Sequence, residues 1–224
     1  MRLRAVIFDC DGVLADTEPL HLRAYNTILE PLGVAIGPAE YAADFLGLDD
    51  REAFARVLAL RGVAHVSSDV ERLVEAKART FTEVLRAECR IYPGVRPFVR
   101  SFDGLARAVA SGARREEIAI VLEHAGLANA FPVVVGMEDV AVGKPDPAPF
   151  LRALGELNRA HRHIEPDQCL VVEDSRLGIV AARRAGMRCL AVTTSYPAAA
   201  LTDADLVAES LENVRLPEVH GLVA

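Results

Sequence analysis

The sequence predicts an α/β chain: a doubly wound, Rossmann-like parallel sheet with an all-helical unit inserted after its first strand. Short apolar runs recur at 3–8, 106–110, 132–136, 169–173 and 188–192, with helical patterns between the later ones. Near-continuous apolar strands alternating with helices imply a sheet covered on both faces. From Thr17 to Cys89 there are three helical stretches or more and no strand-like run, far beyond what a crossover needs. Of the 224 residues, 51% are hydrophobic, ample material for a core.

The first strand, 3–8, is partly β-branched and ends at Asp9. Helices are expected at 16–32, around 51–60 and at 70–86. In the first, a 100° projection puts Leu20, Ala24, Ile28 and Leu32 on one stripe. Tyr92-Pro93-Gly94 marks the return to the sheet, so the expected division is 1–15 with 91–224 for the core and 16–90 for the helical cap. After the second strand, Ile118, Val121, Leu122 and Ala125 share one face of a helix that Gly126 stops. Asp146-Pro147 reads as a cap and a first-turn proline before Phe150, Leu151 and Leu154. Ser175 caps a last helix, which ends at Gly186.

Composition narrows the function classes. With 25 Lys+Arg against 32 Asp+Glu the net charge is −7, so no electrostatic pull toward nucleic acid or an anionic membrane is expected. No apolar run is long enough to span a bilayer, and the N-terminal run meets Asp9 without a small-residue cleavage site. Cys10, Cys89, Cys169 and Cys189 lack metal-type spacing, which suits buried thiols in a reducing cytoplasm. The expectation is a cytoplasmic protein, monomeric, acting on small molecules.

The chemistry-bearing residues gather at strand ends, where open α/β sheets bind ligands. Asp9-Cys10-Asp11-Gly12 closes the first strand. In extended chain, positions i and i+2 face the same way, so Asp9 and Asp11 can address one ligand; the bland alternative is a polar turn. Glu173-Asp174 closes another strand, where a carboxylate can equally cap the next helix. Together the two acidic pairs suit a hard cation such as Mg²⁺. Ser111-Gly112 offers a hydroxyl and backbone N–H groups to an anion, or is an ordinary helix cap. Lys144, in Gly143-Lys144-Pro145-Asp146, is a surface lysine or the cation that completes the set.

Asp9-x-Asp11-Gly-Val-Leu-Ala-Asp16-Thr17-Glu18-Pro19-Leu20-His21, then Ser111, Gly143-Lys144-Pro145-Asp146 and Val172-Glu173-Asp174-Ser175, resembles the haloacid dehalogenase-like hydrolases. The resemblance covers essentially the whole chain. It points to the branch with a helical cap that includes β-phosphoglucomutases and sugar-phosphate phosphatases. It implies Asp9 as nucleophile, forming an aspartyl-phosphate, and Asp11 as general acid–base with its backbone carbonyl on the metal. Ser111 and Lys144 would hold the transferring phosphoryl group, and Asp174 with Glu173 would complete the Mg²⁺ site. Asp at position 11 sets the chain apart from the family's dehalogenases and phosphonatases.

In the cap, His21 and Lys77 fall on apolar arcs, where a basic group snorkels, is hydrogen-bonded or meets an anion. The resemblance makes both substrate-binding candidates, with Thr17, Arg51 and Gly112; Asp49-Asp50 reads as a local insertion that blurs the placement of Arg51. Ser111 is followed by Gly112-Ala113-Arg114, where mutase-like relatives carry more hydroxyls and a lysine that Arg114 or Arg115 could replace; the departure weakens the mutase reading more than the phosphatase one. The leading expectation is a Mg²⁺-dependent phosphatase of small phosphorylated metabolites, sugar phosphates above all, with a sugar phosphomutase second. A phospho-acceptor signalling domain fits poorly, since there the acidic pair precedes the acceptor Asp. A catalytically dead binder fits poorly too, with all four motif positions intact.

Overall fold

The computed structural model describes residues 2–160 and 163–223. The chain divides into two compact units, Met1–Asp16 with Arg90–Ala224, and Thr17–Cys89.

The first unit holds a six-stranded parallel sheet in the order β3-β2-β1-β4-β5-β6. Its strands are β1 (Ala5–Phe8), β2 (Ala106–Ala110), β3 (Val133–Val135), β4 (Cys169–Glu173), β5 (Arg188–Val192) and β6 (Leu206–Ala208). β1 lies between β2 and β4, with Phe8 level with Val109 on one side and Val172 on the other. The chain winds outward from β1 through β2 to β3, then restarts at β4 on the opposite side. The switch point therefore falls between β1 and β4.

Both faces are covered, as continuous apolar strands require. On one, Ala5, Ile7, Ala108 and Val171 pack with Phe150, Leu154 and Leu157 of α7 (Ala148–Ala160) and Ile179 and Ala182 of α8 (Arg176–Arg184). On the other, Phe8 makes edge contacts with Phe98 of α5 (Val95–Arg100) and with Phe131, at centroid distances of 6.2 and 5.5 Å. α6 (Arg115–His124) ends before Gly126, which takes the left-handed φ of +63° that the stop requires. Ser175 Oγ accepts from Gly178 N at 3.0 Å and caps α8 as expected, whereas α7 starts one residue later than expected: Leu151 N donates to Pro147 O at 3.0 Å, and the Asp146 carboxylate, just outside the helix, accepts from Ala148 N at 2.8 Å.

The helical unit contains α1 (Glu18–Leu29), α2 (Pro38–Glu40), which runs into a π-type turn (Tyr41–Phe45), α3 (Asp50–Leu60) and α4 (Ser67–Glu88). Its core is Tyr25, Leu29, Phe45, Phe54, Val57, Leu58 and Val70. One expectation is corrected here. Leu32 does not continue the α1 stripe: the helix ends at Leu29, and a tighter turn over Glu30–Leu32, with Pro31 inside it, breaks the 100° register and leaves Leu32 exposed. Leu29, not Leu32, closes the buried face. The short elements α2, α5, β6 and α9 (Leu216–Gly221) were not legible as periodic segments.

Candidate active site

At the switch point, β1 delivers Asp9 and β4 delivers Glu173 and Asp174. Asp9 N donates to Val172 O at 2.9 Å, which extends the ladder one step and sets the two acidic strand ends side by side. Each of the three carboxylates has an oxygen within 4.8 Å of the others, and all three residues are buried. After Asp9 the chain closes a tight loop: Leu14 N donates to Cys10 O at 2.8 Å and Gly12 N to Ala15 O at 2.9 Å. Gly12 has φ +73°, and a Cβ there would lie 1.8 Å from Asp174 Oδ2. Only glycine serves at this position, for conformation and for space.

Glu173 is an organiser. Its Oε2 accepts from Asp174 N at 3.0 Å, Ser175 N at 2.9 Å and Ser175 Oγ at 2.8 Å, while Oε1 meets Lys144 Nζ at 2.5 Å. Asp174 Oδ2 accepts a short hydrogen bond from Ser195 Oγ, on the loop that follows β5. Lys144 Nζ also lies 2.9 Å from Asp9 Oδ1 and 5.2 Å from the Phe150 ring centroid. That approach to Asp9 is an ion pair without hydrogen-bond geometry, and Asp9 Oδ1 remains the buried side-chain oxygen without a hydrogen-bond partner among the described residues.

The electrostatics follow from this crowding. Burial pushes the Asp9 carboxyl up to about 7 against the pull of Lys144, with Glu173 and Asp11 adding repulsion. Burial, then Glu173 and Asp9, hold Asp174 well above the ordinary carboxylate range; the Ser195 hydrogen bond and Lys144 oppose this. Burial works against the Lys144 ammonium, but Asp9 and Glu173 outweigh it and raise its pKa. One ammonium faces an excess of carboxylates, and Asp9 Oδ1, ion-paired with that ammonium, has no hydrogen bond among the described residues. That donor set fits a hard divalent cation.

Ser111 follows β2, beside β1, and is buried; its N donates to Val135 O at 3.0 Å and its Oγ accepts from Ala113 N at 3.2 Å. Gly112 is exposed, with open space around its Cα. Arg115, one of the two arginines considered for the missing lysine, makes a two-pronged pair with Asp139, at 2.7 and 2.8 Å.

The remaining candidates lie in the helical unit. Lys77 is buried; its Nζ donates to Asp50 Oδ1 at 2.7 Å and lies 2.8 Å from His21 Nδ1. Burial, then the nearby ammonium, keep the His21 imidazole well below its ordinary range. It is neutral, Nδ1 accepts from Lys77 and the proton sits on Nε2. The ring stacks on Phe81 at 3.9 Å. Arg51 is exposed and paired with Glu71 at 2.6 and 3.0 Å. Thr17 is buried, and its carbonyl accepts from Leu20 N and His21 N, both at 2.9 Å, in the first turn of α1.

Sequence reasoning missed four residues. Ser195 and Thr194 follow the apolar end of β5, and the strand-end rule applied to Thr193-Thr194-Ser195 would have found them. Asp50 is no mere insertion: Asp49 caps α3 through Glu52 N at 2.8 Å, which frees Asp50 for Lys77. Gly178 carried no signal; a Cβ there would lie 1.8 Å from Glu173 Oε1.

Comparison with known proteins adds an independent line. The model of the family "Haloacid dehalogenase-like hydrolase" matches residues 6–192. A "Phosphorylated carbohydrates phosphatase" of Thermotoga maritima is 35% identical over 193 residues, covering 83% of this chain and 82% of its own. The crystal structure of CbbY from Rhodobacter sphaeroides in complex with phosphate superposes with a TM-score of 0.78 at 28% identity, covering 94% of this chain and 96% of that one. A β-phosphoglucomutase from Clostridium difficile superposes with a TM-score of 0.83 at 22% identity, over 99% of this chain and 97% of that one, a likeness of fold.

Proposed function

This chain belongs to the haloacid dehalogenase-like hydrolase family, and from that premise we propose that it is a Mg²⁺-dependent phosphatase of small phosphorylated carbohydrates. The observation that carries the reading is the buried Asp9 carboxylate, ion-paired with Lys144, at the centre of the acidic strand ends. The relative named for phosphorylated carbohydrates and the neighbour solved with phosphate support the substrate class.

In the proposed reaction an Asp9 oxygen attacks phosphorus and the bond from phosphorus to the sugar oxygen breaks. Asp11 gives its proton to the departing oxygen. Asp11 then takes a proton from water, whose oxygen attacks the aspartyl-phosphate, releasing phosphate and restoring Asp9. Lys144, Ser111 and the backbone N–H groups after it hold the phosphoryl oxygens, so catalysis is mainly positioning and charge neutralisation. Asp9, Asp174 and Glu173, with the Asp11 backbone carbonyl, would hold Mg²⁺, and Glu173 also anchors Lys144. When bound, the ion supplies positive charge that offsets both the clustered carboxylates and the phosphoryl oxygens. The neutral His21 and the Lys77–Asp50 pair are proposed to take part in substrate selection. The pairing of Arg115 with Asp139 engages one of the two arginines, Arg114 and Arg115, that a mutase-like reading offered in place of the lysine, which supports ranking water over a sugar hydroxyl as acceptor. Among the described residues no helix is long and apolar enough to cross a membrane.

The test is phosphate release from a panel of sugar phosphates, with Mg²⁺ and with EDTA. Release that needs Mg²⁺ and is abolished in Asp9→Asn is expected; turnover that survives Asp9→Asn removes the nucleophile. Faster formation of glucose 6-phosphate than of free phosphate, from β-glucose 1-phosphate with a bisphosphate primer, reverses the order of phosphatase and mutase.

A further inference from the structure

Ser195 lies outside every motif that identified the site, yet it holds one of the site's carboxylates. Its hydroxyl donates to Asp174 Oδ2 across 21 residues of sequence. Next to it, Thr194 Oγ1 donates to the Gly12 carbonyl at 2.5 Å, tying the loop after β5 to the loop after β1. The bare Cα of Gly12 closes over the same pair: a Cβ there would lie 1.8 Å from Asp174 Oδ2 and 2.9 Å from Ser195 Oγ. Asp174 Oδ2 is thus engaged by a donor and covered by backbone.

The other carboxylates complete the argument. Glu173 has both oxygens committed, one to Lys144 and one to three donors. Asp9 Oδ1 is ion-paired with Lys144 and has no hydrogen bond among the described residues. With Oδ2 engaged, Asp174 would offer a cation a single oxygen. Mg²⁺ is small, wants near-octahedral geometry and keeps several waters, whereas Ca²⁺ takes six to eight oxygens and readily uses both oxygens of one carboxylate.

We propose that Ser195 is a positioning residue that confines Asp174 to one-oxygen ligation and thereby sets the site's preference for Mg²⁺ over Ca²⁺. The inference rests on the divalent-cation reading above. It is tested by isothermal titration calorimetry of the full chain with MgCl₂ and separately with CaCl₂. Ser195→Ala is expected to weaken Mg²⁺ binding by roughly 10–100-fold, the range for loss of a supporting hydrogen bond, and to narrow the Mg²⁺/Ca²⁺ ratio. Ser195→Thr, which keeps the hydroxyl, restores both. In phosphate release, the Mg²⁺ concentration for half-activation rises in Ser195→Ala while kcat at saturating Mg²⁺ changes much less. If the alanine variant does not fold, Ser195→Cys, a weaker donor of similar size, takes its place with the same expectation. An unchanged Mg²⁺ affinity and ratio in a folded variant overturns the proposal. Wild-type chain that binds neither ion overturns the cation reading itself, a separate result.

Discussion

The Asp9 carboxyl, raised to about 7 by burial against the pull of Lys144 and with the push of Glu173 and Asp11, gives the metal-free chain a characteristic pH dependence. In the unfolded chain an aspartate titrates near 4. Between roughly 4 and 7 the folded state therefore binds more protons than the unfolded one, and folding stability falls as pH rises through that window. Asp174 is displaced in the same direction. The raised pKa of Lys144 acts only in alkali, outside this range. The melting temperature in EDTA is expected to drop from pH 5 to pH 7.5, by roughly 2–4 °C for each kcal/mol involved. Saturating Mg²⁺ should flatten that slope, because an ion that binds only the folded carboxylates competes with their protons. Asp9→Asn in EDTA should likewise melt higher than wild type at pH 7.5 while losing turnover. A wild-type melting temperature that is level across this range in EDTA would count against the buried-charge account.

At the scale of elements, the turn from β4 into α8 is held by a local set of hydrogen bonds. Glu173 accepts from the backbone of residues 174 and 175 and from the Ser175 hydroxyl, while Ser175 caps α8 through Gly178 N. The helix start and the acidic strand end are one hydrogen-bonded unit. Ser175→Ala removes the cap, worth about 1 kcal/mol, together with one of Glu173's partners. Gly178→Ala is expected to be worse, although alanine is the better helix former, because its methyl would stand 1.8 Å from Glu173 Oε1. Urea denaturation should show loss of stability for both and the larger loss for Gly178→Ala. A Gly178→Ala variant as stable as wild type would mean that the Glu173 side chain is free to move. The start of this helix was legible in Ser175 and its end in Gly186, since capping chemistry is local. The need for glycine at 178 was not, because it depends on where a carboxylate five residues earlier comes to rest.

At the scale of the whole molecule, each unit holds a buried polar cluster among the described residues, and the two are balanced in different ways. The cluster at the sheet switch point carries more carboxylates than cations. The one in the helical unit is balanced internally: Lys77 faces Asp50, which also accepts from Tyr25 OH at 2.6 Å, and His21 is neutral. Tyr25 and Phe81 hold the ammonium near their ring faces, at 4.9 and 4.8 Å. Asp50→Asn strands a buried charge and should lower stability by about 1.5–3 kcal/mol, the range for hydrogen bonds to charged groups. Lys77→Met removes that charge and leaves Asp50, partly exposed, with Tyr25, so a smaller loss is expected. Urea denaturation of the two variants gives the comparison, and equal losses would refute the internal balance. Neither partner's role was readable from periodicity, which places Lys77 on an apolar face but is silent on what meets it there.

From the sequence alone came the strand and helix alternation, the long helical insertion, and the acidic, hydroxyl and lysine residues at strand ends, since hydrophobic period and turn chemistry act over a few neighbouring residues. The tertiary structure decided the rest. It set β1 beside β4 so that Asp9 meets Glu173 and Asp174, recruited Ser195 to Asp174 and Asp50 to Lys77, and diverted Arg115 to Asp139. Those outcomes turn on separations of a few ångströms between residues far apart in the chain, and a carboxylate's partner is chosen at that range.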